Sequence, residues 1–86
     1  SLFPGDAEAL ETQAVYRAVT GPKPPPRRIT LGYPALASAQ EVWVLASGMG
    51  KQEALQASLE PAGDTPLARV LQSRSNTEIF TDFDLA

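Results

Sequence analysis

Between residues 41 and 59 the sequence changes period once, and that change narrows the fold to few choices. Val42, Trp43, Val44, Leu45 and Ala46 form an unbroken apolar run, followed by Ser47-Gly48-Met49-Gly50 and then Lys51. A run of this length, rich in β-branched and aromatic residues, suits a strand covered on both faces, as in the parallel sheets of α/β proteins, and Trp43 within it reads as core. Past the glycines, Ala54, Leu55, Ser58 and Leu59 fall on one side of a helix and Gln52, Glu53, Gln56 and Glu60 on the other, until Pro61 ends it. Strand, glycine turn and helix together aim backbone amides, and here also Lys51, past the carboxyl edge of the sheet, where phosphorylated ligands commonly bind.

The other segments are arranged around that unit. Residues 14–20 set Val15, Arg17 and Val19 against Tyr16, Ala18 and Thr20, which is strand periodicity, and Gly21-Pro22 closes the strand. Lys23-Pro24-Pro25-Pro26 is expected to be extended, because each proline fixes its own φ and drives the preceding residue out of the helical region. It reads as a stiff loop presenting Arg27 and Arg28, although the same composition suits a rigid linker or an SH3-type ligand. Arg28 and Thr30 then share one strand face, Ile29 and Leu31 the other. Pro34 opens a helix to about Gln40 with Leu36 and Ala39 inward, and Thr65 before Pro66 has the form of an N-cap for a helix whose Leu67, Val70 and Leu71 share a face. Residues 77–83 return to strand character through Ile79 and Phe80, while the acidic residues 6–12 read as a short helical turn or a surface loop. No repeat and no linker divides the chain.

Composition removes several chemistries. With 43% hydrophobic residues in 86, the chain is a globular domain or a piece of one. No apolar run nears the ~18 residues of a membrane span, and no secretory signal precedes the first strand. Cysteine and histidine are both absent, so there is no disulfide, no thiolate metal site, and neither the commonest metal ligand nor the commonest general base. A net charge of −3, with only Lys23, Arg27 and Arg28 clustered, argues against nucleic-acid binding. Asp82 and Asp84, two apart on one strand face, read as surface residues, and no acid here has the companions that would make a hydrolytic or metal site.

Taken together, Ser1-Leu2-Phe3-Pro4-Gly5, the stretch Pro22-Lys23-Pro24-Pro25-Pro26-Arg27-Arg28-Ile29-Thr30-Leu31, Pro34-Ala35-Leu36, Val42 through Gly48 and Lys51-Gln52-Glu53-Ala54-Leu55 resemble the C-terminal part of the 6-phosphogluconolactonase family. The resemblance spans nearly the whole chain in one register. Its Pro-Pro-x-Arg-Ile-Thr block is the most specific part, whereas the strand-glycine-lysine block is shared with glucosamine-6-phosphate deaminases. It implies a Rossmann-like α/β fold with a mostly parallel sheet, of the deaminase, isomerase and lactonase group, with residues 1–86 as the C-terminal part of a single domain. The burial-prone Leu2 and Phe3 at the start fit a chain cut from something longer.

The implied reaction is hydrolysis of 6-phosphoglucono-1,5-lactone to 6-phosphogluconate by an activated water, in the cytoplasmic pentose phosphate pathway, without a metal or redox cofactor. It needs a base, oxyanion donors and a phosphate clamp. In the family the base is a histidine in an Asp-Gly-His-Thr-Ala run immediately ahead of Ser-Leu-Phe-Pro, so the resemblance places no catalytic residue within this chain. What it leaves here is the clamp: Lys51 and Arg28 are the expected phosphate-binding residues, with Ser47, Gly48 and Gly50 as candidate loop contacts. Lysine is electrostatically disfavoured at a helix N-terminus, which is a mild sign of function at Lys51, against the plainer reading of a solvated lysine. For Arg28 the plainer reading is a strand arginine paired with an acid, and for Ser47 a turn or cap. Arg27 and Lys23 read as solvated charges. The expected partner is a phosphorylated sugar lactone, not a membrane or nucleic acid; a chain lacking part of its sheet cover is also expected to self-associate. The rival readings are a glucosamine-6-phosphate deaminase, and a non-catalytic module that binds a phosphorylated ligand.

Overall fold

In the computed structural model, which describes residues 1–84, the chain runs through α1 (Ala7–Glu11), β1 (Tyr16–Thr20), β2 (Arg27–Leu31), α2 (Tyr33–Ser38) and β3 (Val42–Ala46). A 3-10 turn (Met49–Lys51), α3 (Gln52–Leu59), α4 (Pro66–Gln72) and β4 (Thr77–Thr81) follow. The expected α/β class holds, and β3 pairs with β4 in parallel, Val42 opposite Thr77 and Ala46 opposite Thr81. The intervening turn and two helices give the long connection that parallel strands require. By contrast β1 and β2 form an antiparallel hairpin, Tyr16 opposite Leu31 and Thr20 opposite Arg27, because the proline loop is too short for a crossover. To reverse the chain within that length the loop is bent rather than extended, and the Gly21 amide donates to the Pro26 carbonyl at 2.6 Å.

The acidic N-terminal stretch resolves into α1. Asp6 caps it, one carboxylate oxygen accepting from the Ala9 amide at 3.3 Å, while the other receives the Arg17 guanidinium at 2.8 Å. That hydrogen bond from Arg17 is the main reason the Asp6 carboxyl lies below the usual carboxylate range. At the other end of the chain α4 starts as its sequence indicates. Thr65 Oγ1 accepts from the Ala68 amide at 3.1 Å with Pro66 in the first turn, and meets Ser58 Oγ at 2.6 Å, joining α3 to α4.

The core is small. Ala9, Leu55, Ala68, Val70 and Phe83 are its buried apolar residues. In α3 Leu55 and Ser58 are buried and Gln52 and Gln56, expected outward, are half-buried, whereas Ala54 and Leu59, expected inward, are exposed. Packing of this short helix mainly on α4 turns the side that carries residues 52, 55, 56 and 58 inward. Ala39 is exposed too, since α2 ends at Ser38 and Ala39 is already extended.

The largest departure concerns the strands. Val42, Val44 and Ala46 lie half-buried on the helix side of β3, but Trp43 and Leu45 on its other face are 60% and 77% exposed, and Phe80 of β4 beside them is 49% exposed. Trp43 and Phe80 meet edge to face at 5.9 Å. Trp43 is therefore not core here, because the helices cover one face of β3 and β4 and nothing among the described residues covers the other. The hairpin has a similar bare face at Tyr16 and Ile29. In all the chain exposes 6102 Å², where a self-contained monomer of 9.2 kDa would expose about 4,900 Å². No helix among the described residues is long and apolar enough to cross a membrane.

Candidate functional site

The turn after β3 is built around one backbone requirement. Gly48 has φ 88° and ψ 140°, a conformation that any residue with a Cβ reaches only with strain. Nothing lies within 4 Å of where that Cβ would sit, so the constraint is torsional rather than a lack of space. The Lys51 amide donates to the Gly48 carbonyl at 3.0 Å and the Gln52 amide to the Met49 carbonyl, which makes the 3-10 turn and leads into α3. The Met49 and Gly50 amides have no protein acceptor among the described residues. Lys51 is exposed, and the ion pairs among the described residues, Arg17 with Asp6 and with Glu8, leave it unpaired.

Gly48, a candidate ligand contact, has its own amide committed: it donates to Asp82 Oδ1 at 2.9 Å. The sequence reads Asp82 as a plain surface residue. It is exposed, but the parallel register that sets Ala46 beside Thr81 also brings the residue after β4 against the turn after β3. Alongside it the Gln52 side chain donates to the Asp84 carbonyl at 2.7 Å. The only sequence signal for this tether is an acid just past a strand, which acquires meaning once the strand's partner is known.

Arg28 is held by its own loop. Nε donates to the Pro25 carbonyl and Nη2 to the Lys23 carbonyl, each at 2.9 Å, and the guanidinium lies over the Phe3 ring, 5.6 Å from its centroid. Gly21 permits this stack, since a Cβ there would come within 3.0 Å of the Phe3 ring and 3.1 Å of the guanidinium. Pairing with an acid, the plainer alternative, does not occur among the described residues. The guanidinium is fixed by neutral carbonyls, with Nη1 bound to no protein acceptor among the described residues. Arg28 lines an open hollow with Arg17, Arg27, Asp6 and Glu8, of which Arg17 is already neutralised by the two acids. Lys51 does not line that hollow. The two expected phosphate ligands thus belong to different sheets, Arg28 to the hairpin and Lys51 to the turn after β3. Arg27 and Lys23 are exposed, and among the described residues no cluster of acids is arranged to hold a metal ion.

The sequence model describing glucosamine-6-phosphate isomerases/6-phosphogluconolactonase matches residues 1–80. The chain belongs to that family. Within it, a 6-phosphogluconolactonase of Mycobacterium tuberculosis is 44% identical over all of this chain and 36% of its own length. The human 6-phosphogluconolactonase is 38% identical over 83% of this chain and 28% of its own length. Among solved structures, the 6-phosphogluconolactonase of Trypanosoma brucei superposes with a TM-score of 0.77 at 28% identity, covering 94% of this chain and 34% of that one. The chain therefore spans about a third of the length of the relatives it matches. Both the proline-loop arginine and the glycine turn with Lys51 fall within the family match.

Proposed function

We propose that this chain is the C-terminal part of a 6-phosphogluconolactonase domain and supplies the phosphate clamp for hydrolysis of 6-phosphoglucono-1,5-lactone to 6-phosphogluconate in the cytoplasmic pentose phosphate pathway. The observation that carries this reading is the 44% identity along the whole chain to a 6-phosphogluconolactonase. The chemistry divides accordingly. Water adds to the lactone carbonyl, the oxyanion forms, and the ring oxygen leaves; the base and oxyanion donors come from the remaining two-thirds of the domain. Lys51 and Arg28 reach the distant phosphate from two different sheets and not from one shared hollow, Lys51 from the rim of the turn and Arg28 through the Nη1 edge that its loop leaves free, with Ser47 and Gly50 as neighbouring contacts. In a pH-stat, the complete protein is expected to release acid from the lactone well above the spontaneous rate, and the 86-residue chain alone is not. An inactive complete protein would defeat the assignment; an active isolated chain would mean that one of its own carboxylates is the base.

The bare faces at Trp43, Leu45 and Phe80 and at Tyr16 and Ile29 fit the same reading, because the rest of the domain would lie against them. Isolated, the chain is expected to bind a hydrophobic dye and to self-associate as it hides those faces. A monomeric, dye-silent chain with cooperative unfolding would be a complete domain and would contradict its being part of a larger one.

A further inference from the structure

We propose that Asp82 is a positioning residue for Lys51, holding the Gly48 turn in its ligand-competent shape from the end of the neighbouring strand. The inference rests on the reading of Lys51 as a phosphate ligand. Lys51 lies between two residues that are each tied to the segment after β4: Gly48 through its amide to Asp82 Oδ1 at 2.9 Å, and Gln52 through its side chain to the Asp84 carbonyl at 2.7 Å. A turn of this kind needs such support. Gly48 is free to leave φ 88°, because glycine reaches many other conformations at little cost, and no neighbouring atom obstructs it. The carboxylate selects one of them. It also consumes the Gly48 amide, so the ligand-facing donors of the turn are the amides of Met49 and Gly50 and the Lys51 ammonium. A negative charge this near a phosphate site would otherwise work against binding. Bound to the Gly48 amide, the carboxylate does its work on the backbone of the turn.

The test is kinetic, in the complete enzyme. Asp82→Ala is expected to raise KM roughly three- to tenfold with kcat within about twofold, while Asp82→Asn, whose amide oxygen can still accept from Gly48, recovers most of the loss. Because Asp82 acts through the turn that carries Lys51, Asp82→Ala should raise KM by a smaller factor in the Lys51→Ala background than in the wild type. Wild-type KM in Asp82→Ala, a loss confined to kcat, or multiplying effects in the double variant would each overturn the proposal. Amide hydrogen exchange gives a readout independent of activity, and it tests the tether in the wild type whether or not Asp82→Ala folds. The Gly48 amide should exchange at least roughly tenfold more slowly than that of Gly50 in the wild type, and equal rates would overturn the tether. If Lys51→Ala leaves KM unchanged while Gly48 is protected, the phosphate assignment fails and the tether stands without that role.

Discussion

Replacing Lys51 or Arg28 with alanine in the complete enzyme should raise KM by roughly ten- to a hundredfold and change kcat by only a few-fold. A phosphate remote from the reacting carbonyl is bound about equally in the ground and transition states, so the loss of one charge-assisted contact falls on binding. The two sites should differ in what rescues them. Lys51 is an exposed ammonium on a turn, and Lys51→Arg should keep much of its effect. Arg28 uses Nε and Nη2 to bind the loop carbonyls while leaving Nη1 free, a division of labour that a single ammonium cannot reproduce, so Arg28→Lys should behave more like Arg28→Ala. Steady-state kinetics of the four variants decide the matter. An unchanged KM in both alanine variants would place the phosphate elsewhere and leave these as surface charges.

The second large effect is expected at Arg74, which the sequence does not single out. Its Nη1 donates to the Leu36 carbonyl at 3.0 Å and the Ala39 carbonyl at 2.7 Å, its Nη2 to Gln40 at 3.3 Å, and its Nε and Nη2 to Asn76 at 3.1 and 2.7 Å. One guanidinium thus closes the C-terminal end of α2, whose last turn has no basic residue of its own, and fastens the entry to β3 to the entry to β4. The cation also opposes the negative end of the helix. Arg74→Ala leaves those carbonyls to water and should destabilise the protein by about 2–4 kcal/mol, less than a sum over bonds because they share one side chain. In a domain of about 150–250 residues that lowers Tm by roughly 4–16 °C. Arg74→Lys should restore less than half of it. A thermal melt of the complete protein within about 2 °C of wild type would show that the carbonyls are equally well served by solvent.

The features legible in the sequence were those whose causes lie within a few residues. The apolar run of β3, the glycine turn, the start of α3, and the Thr65 cap with Pro66 each depend on local torsions and neighbouring amides, and each is where the sequence puts it. The motifs that linked the chain to its family are of the same local kind. Whether Trp43 is covered and which face of α3 is buried depend instead on what packs against them, and how the proline loop bends depends on the pairing of β1 with β2; on these tertiary structure alone decided. The same holds for the clamps. Asp82 reaches Gly48 across 34 residues and Arg74 reaches Leu36 across 38, so neither bond exists until strand register and helix packing bring the partners together. Local chemistry therefore determined the elements and the glycine-lysine turn. Tertiary structure decided which charged groups hold them in place, because a hydrogen bond depends on distance in space and periodicity carries no record of it.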